Sequence, residues 1–160
     1  MAGVSDLAYR LLARECGADV TVTEFTAASG LTRRNTHSWL KVESDPREKP
    51  FIPQIFGGIT EEMVQTVELL QDRADIIDIN FGCPVKKVVK RNGGSGCLKD
   101  LDLLETLVRA VDDATSLPTT VKIRSGFDER TRDPVTIGLR CQDAGARALC
   151  IHPRTRADMY

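Results

Sequence analysis

The chain has 160 residues, of which 41% are hydrophobic and 28% charged, with a formal net charge of −1. That is a globular balance, long enough for one domain with a substantial core, and too neutral for global charge to point to nucleic acid, so any basic surface must be local. No apolar run approaches the ~20 residues of a membrane span and no signal-peptide pattern opens the chain. Five cysteines without a CxxC pair argue against a disulfide framework or a zinc site and for a reducing, cytoplasmic setting.

Strand-like and helix-like segments alternate along the chain. Residues 6–16 read as a helix, with Ser5 as N-cap and Gly17 as its stop. Residues 20–25 and 51–56 read as strands. Thr60 is placed to cap a helix carrying Glu61 and Glu62 in its first turn and Met63, Val64, Val67 and Leu70 on one face. The apolar run 76–79 reads as a buried strand, followed by a loop to Gly96 and a helix over 101–114 that shows Leu104, Leu107, Val108 and Val111 on one side. Residues 119–123 form the next expected strand. Asp133-Pro134 opens a helix with proline at its first position, Gly145 stops it, and 148–151 is the last strand.

A helix end, an alanine and a strand recur at 15–19, 71–75 and 142–146. Repeated βα units of this kind imply a parallel sheet, either an open doubly wound sheet or a (β/α)8 barrel. Gln54, Asn80, Lys122 with Arg124, and His152 lie in or just past the carboxyl ends of different strands. Polar groups spread over many strand ends are barrel behaviour, and no GxGxxG follows a first strand, so the expected fold class is an α/β TIM barrel. At most six strands are countable, including one ending at the Met1-Ala2-Gly3-Val4 start, whereas a complete barrel needs roughly 250 residues. The expectation is therefore a partial barrel of about six βα units.

Chemistry concentrates around Asn80-Phe81-Gly82-Cys83-Pro84. A thiol between glycine and proline at a strand mouth, next to an amide side chain, can serve as nucleophile, base or acid. Cys97 begins an apolar segment and is expected to pack, as are Cys16, Cys141 and Cys150. The next segment, with Lys86, Lys87, Lys90 and Arg91, holds four positive charges in six residues and is either a solvated loop or a phosphate-contacting one. The glycines at 93, 94 and 96 could let backbone amides face an anion. Lys122 and Arg124 alternate on one strand face, so inside a barrel both point inward and need anionic or electron-rich partners. His152-Pro153-Arg154-Thr155-Arg156 adds a titratable ring and two guanidiniums at another strand end.

Together these pieces resemble the tRNA-dihydrouridine synthases, in particular the bacterial branch with Gly-Cys-Pro-x-Lys-Lys-Val. The matching residues are Met1-Ala2-Gly3-Val4-Ser5-Asp6, Thr23-Glu24, Gln54-Ile55-Phe56-Gly57, Asp78 to Pro84 with Lys87-Val88, Val121 to Gly126, and His152 to Arg156 with Tyr160, in family order. The resemblance implies an FMN-binding barrel that reduces uridine in tRNA with NADPH or NADH. It also implies a flavin phosphate site on further barrel strands and a helical tRNA-binding domain, neither within these residues. By the same resemblance Cys83 is the general acid toward uracil C5. Met1, Ala2, Gln54, Lys122 and His152 are cofactor contacts. Asn80, Arg124 and Tyr160 face the target base, Arg154 contacts the substrate, and Lys86, Lys87 and Arg91 face tRNA. No metal or membrane partner is implied, and protein partners stay open.

Two other readings compete. A barrel flavoenzyme acting on a free pyrimidine, such as a dihydroorotate dehydrogenase, also places cysteine in an Asn-x-x-Cys-Pro loop, but the Lys86 to Arg91 cluster and the His-Pro-Arg-Thr-Arg segment favour RNA. An inactive RNA-binding fragment is distinguished from both enzymes by failing to take up flavin.

Overall fold

A computed structural model of the chain describes residues 3–159. Five parallel strands form one sheet in the order β1 (Thr26–Ala27), β2 (Gln54–Phe56), β3 (Ile77–Phe81), β4 (Thr119–Arg124) and β5 (Ala148–His152). The helices are α1 (Leu7–Glu15), α2 (Ala28–Thr32), α3 (Thr36–Lys41), α4 (Thr60–Leu70), α5 (Lys86–Val89), α6 (Leu101–Asp113) and α7 (Pro134–Asp143). Consecutive parallel strands joined by helices, each strand beside its chain neighbour, make this an α/β sheet of barrel type, here a partial (β/α)8 barrel. Of the strand expected at the start, Gly3 and Val4 form a turn, and Met1 and Ala2 lie outside the described residues.

Period-2 alternation divides the sheet into two unlike faces. On the outer face Ile55, Ile77, Ile79, Phe81, Val121 and Ile123 are fully buried against Met63, Val67 and Leu70 of α4 and Leu104, Leu107, Val108 and Val111 of α6. Ile137 and Cys141 of α7 extend the same core. Each buried aliphatic side chain here contributes roughly 1.5–3 kcal/mol of transfer free energy. The inner face carries Gln54, Asp78, Asn80, Thr120, Lys122, Arg124, Cys150 and His152. In register, Gln54 sits beside Asp78, Asn80 beside Lys122, Lys122 beside Cys150 and Arg124 beside His152.

Several local expectations are corrected. Residues 20–25 run extended but pair too irregularly for a ladder: Thr23 N–H donates to the Ile52 carbonyl, while Gln54 N–H turns to the Thr23 hydroxyl. Asp6, not Ser5, caps α1 by accepting from Tyr9 N–H. Thr60 is the first residue of α4 and makes no capping bond; its hydroxyl is displaced from the cap by the extended Ile59. Asp133 does cap α7, with Pro134 next. Cys16, the C-cap of α1, is exposed rather than packed, and Cys150 points to the inner face rather than into the core.

Away from the sheet's inner face, Arg10 and Glu48 form a buried ion pair at 2.5 Å, both side chains almost wholly out of solvent. Arg10 also donates to the Ser5 and Glu43 carbonyls, and Glu48 accepts from the Thr21 hydroxyl. The network ties α1 to the 43–48 segment and to the extended stretch that leads into β1.

Candidate active site

The inner face opens into a cavity of about 630 Å³ lined by Gln54, Asp78, Cys83, Lys122, Arg124 and His152, with Val22, Phe25 and Cys150 among its further walls. Phe25 meets Phe56 edge to face at 5.5 Å, closing one flank. The sequence-predicted Gln54, Cys83, Lys122, Arg124 and His152 thus converge on one space. Gln54, however, opens β2 instead of ending it, and so lies a layer deeper than the strand-end groups.

Cys83 stands two residues beyond β3 and is only 3% exposed. Its loop is held at both ends. Asn80 Oδ1 accepts from Gly82 N–H at 3.1 Å and Cys83 N–H at 2.9 Å, while the Cys83 carbonyl accepts from Ser95 N–H at 3.1 Å and the Ser95 hydroxyl at 2.7 Å. The glycine-rich segment therefore presses on the cysteine loop; the amides of Ser95 and Gly96 are bonded within the protein instead of facing an anion. Gly94 has φ +53°, and a Cβ there would sit 2.8 Å from Cys83 Cβ, so the close approach requires glycine.

Burial pushes the Cys83 thiol above its ordinary value, against smaller opposing effects of the Val85 backbone hydrogen bond and the Arg124 cation. The group is protonated at neutral pH, the state an acid needs. Alkylation of Cys83 is therefore expected to follow a pH profile whose midpoint lies above the free-thiol value of about 8.5. Peptide-resolved iodoacetamide labelling measures it, and a midpoint below about 8 contradicts this environment.

Arg124 is buried and bridges the two loops above the sheet. Its Nε donates to the Gly82 carbonyl at 2.8 Å, and Nη1 to the Thr155 and Met159 carbonyls at 2.9 and 3.0 Å. Lys122 places Nζ 3.7 Å from Cys150 Sγ. His152 is held below its ordinary pKa, first by desolvation and then by the Arg124 and Lys122 cations, so the ring is neutral at pH 7. Its Nδ1 is buried and makes no hydrogen bond of ordinary geometry among the described residues.

Asn80 is buried under the loop and is not a lining residue; Oδ1 serves two backbone amides and Nδ2 donates to Gln54 Oε1 at 2.9 Å. Lys86 and Lys87 fall on the short helix α5, a correction to the expected loop, and with Lys90 and Arg91 they are exposed outside the cavity. None of the four makes an ion pair among the described residues. Arg154 is exposed on the loop after β5, and Tyr160 lies outside the described residues. The sequence reading gives Asp78 no role of its own and assigns Cys150 to the core, yet alternation sets both on the inner face, two residues before Asn80 and His152.

A parallel barrel-type sheet with its polar groups gathered at and below the carboxyl ends of the strands defines an α/β-barrel enzyme site. The dihydrouridine synthase family model matches residues 1–160, and the chain belongs to that family. It is 40% identical over 164 residues to tRNA-dihydrouridine synthase B of Pseudomonas aeruginosa, all of this chain aligning with 48% of that protein. Identity to the enzyme of the same name from Pseudomonas syringae is 38%, again with 48% of it covered. To probable tRNA-dihydrouridine synthase 1 of Synechocystis identity is 36%, with 45% covered. The chain spans about half the length of these curated relatives.

Proposed function

We propose that this chain supplies the acid-bearing half of an oxidoreductase site that reduces the C5–C6 bond of uridine in tRNA to 5,6-dihydrouridine, with FMN as cofactor and NADPH or NADH as reductant. The observation that carries this reading is that the Cys83 thiol shares one cavity with Gln54, Lys122, Arg124 and His152.

The lining fits a flavin ring. Val22, Phe25 and Val85 offer an apolar surface, Lys122 brings a cation, and His152 brings a neutral ring with a buried Nδ1. Gln54, Lys122 and His152 would hold the polar edge of the ring, with Met1 and Ala2, outside the described residues, assigned beneath it. FMN, when bound, would supply the hydride for uracil C6. Lys122 stabilises negative charge at the ring's edge, with His152 contributing as a neutral hydrogen-bonding group. Cys83 delivers its proton to C5. Asn80 holds the cysteine loop from below, and any further contact with the base falls to its remaining N–H. We assign Arg124, and Tyr160 outside the described residues, to contact with the base, which must leave its stack to reach so recessed a thiol. The exposed Lys86, Lys87 and Arg91, with Arg154, offer contacts to the phosphate backbone. All five cysteines are free, in keeping with a reducing cytoplasm.

Lys122→Met tests the cofactor assignment. Flavin retention is expected to fall roughly tenfold or more, the equivalent of one lost charge-assisted hydrogen bond. Fluorescence titration of FMN into wild type and variant measures it; equal affinities and equal reduction rates remove Lys122 from the cofactor site.

A further inference from the structure

Asp78, Gln54 and Asn80 form a directed chain of hydrogen bonds beneath the cysteine loop, and all three are buried. A carboxylate only accepts, whereas an amide side chain has one accepting and one donating end. Asp78 Oδ1 accepts from the Thr120 hydroxyl at 2.5 Å and Oδ2 from Gln54 Nε2 at 2.6 Å. Gln54 must therefore turn its NH₂ toward β3's carboxylate and its Oε1 toward Asn80. Asn80 in turn must give Nδ2 to Gln54, which leaves Oδ1 for the Gly82 and Cys83 amides.

We infer that Asp78 is a positioning residue, acting through Gln54 and Asn80 to fix the loop that carries Cys83. Reversing any one link while keeping the others sets two acceptors or two donors face to face in a buried space and leaves those groups unsatisfied. The hydrogen-bond relay stands on this geometry alone; its consequence for catalysis rests on the reading of Cys83 as the acid.

The relay predicts a specific rescue. In Asn80→Asp the new carboxylate still accepts from the loop amides but faces Gln54 Oε1. If Gln54 flips to satisfy it, Oε1 then faces Asp78. The unfolding equilibrium constant is expected to rise at least about tenfold. Adding Asp78→Asn reverses both amide links with every bond made: Thr120 still donates to the oxygen at position 78, the new amide at 78 donates to Gln54 Oε1, and Gln54 Nε2 donates to the carboxylate at position 80. Stability should return to within about threefold of wild type.

Relief of simple charge repulsion would also favour the pair, so both are repeated with Gln54→Met, which removes the connecting amide. Denaturant unfolding of the six proteins decides. Rescue that needs Gln54 supports the relay; rescue that persists with methionine, or no rescue at all, overturns it. Should Asn80→Asp not fold, recovery of folding in the double variant that is lost with Gln54→Met supports the relay, and failure of the double variant, or recovery that persists with methionine, overturns it. Loss of product in Cys83→Ala concerns the acid and not these stabilities, so the two claims fail separately.

Discussion

Replacing Cys83 by alanine in the intact enzyme is expected to lower dihydrouridine formation in tRNA by about 10²- to 10⁴-fold, the usual contribution of a positioned acid. Flavin binding and oxidation of NADPH should stay near wild type. The dissociation of the two half-reactions follows from the geometry. Cys83 lies on the loop after β3, whereas the groups assigned to the cofactor, Gln54, Lys122 and His152, come from three other strands. Removing one sulfur from a loop pinned by Asn80 and Ser95 leaves those strands untouched. Product is measured by digestion of the tRNA and mass spectrometry, reductase activity by NADPH absorbance. Normal product yield would remove the acid role, and loss of both half-reactions would mean that Cys83 supports the cofactor instead.

The second large effect is on stability. Glu48→Ala is expected to reduce the free energy of unfolding by about 3–5 kcal/mol, because it strands the Arg10 guanidinium without its carboxylate partner. Both side chains are almost wholly out of solvent, Glu48 completely so. Arg10→Met with Glu48→Leu should recover most of the loss, since a volume-matched apolar pair escapes the desolvation penalty of two buried charges. Chemical denaturation of the single and double variants measures both. If Glu48→Ala unfolds within about 1 kcal/mol of wild type, the network is a surface-grade ion pair and does not anchor α1.

Much of the site was legible because alternation along buried strands is a strict rule. Lys122 and Arg124 alternate on one strand face and so point inward in a parallel barrel, and the apolar run 76–79 reads as a buried strand ending in Asn80, which the structure carries on to Phe81. What stayed hidden depends on partners distant in sequence. Arg10 meets Glu48 across 38 residues and Asp78 meets Thr120 across 42, and no local pattern announces either. Asn80 reads from sequence as a group offered to substrate, yet both ends of its amide are engaged within the protein. The glycines after Arg91 look like an anion cradle in sequence; in the fold they let one loop lie against another. At helix starts the choice between neighbouring polar residues, Ser5 or Asp6, turns on a single hydrogen bond to Tyr9 N–H.

We propose that the pyrimidine lies between the flavin ring and Cys83, so that hydride and proton reach it from opposite faces, the proton from Cys83. Carried out in D₂O, where both the thiol and the reduced flavin exchange with solvent, the reaction should give dihydrouridine labelled at C5 and C6 with the two deuterons trans. The vicinal proton coupling across C5–C6 reports the configuration directly. A trans product is the predicted result; cis addition would place the proton donor on the flavin's side of the ring and contradict the account.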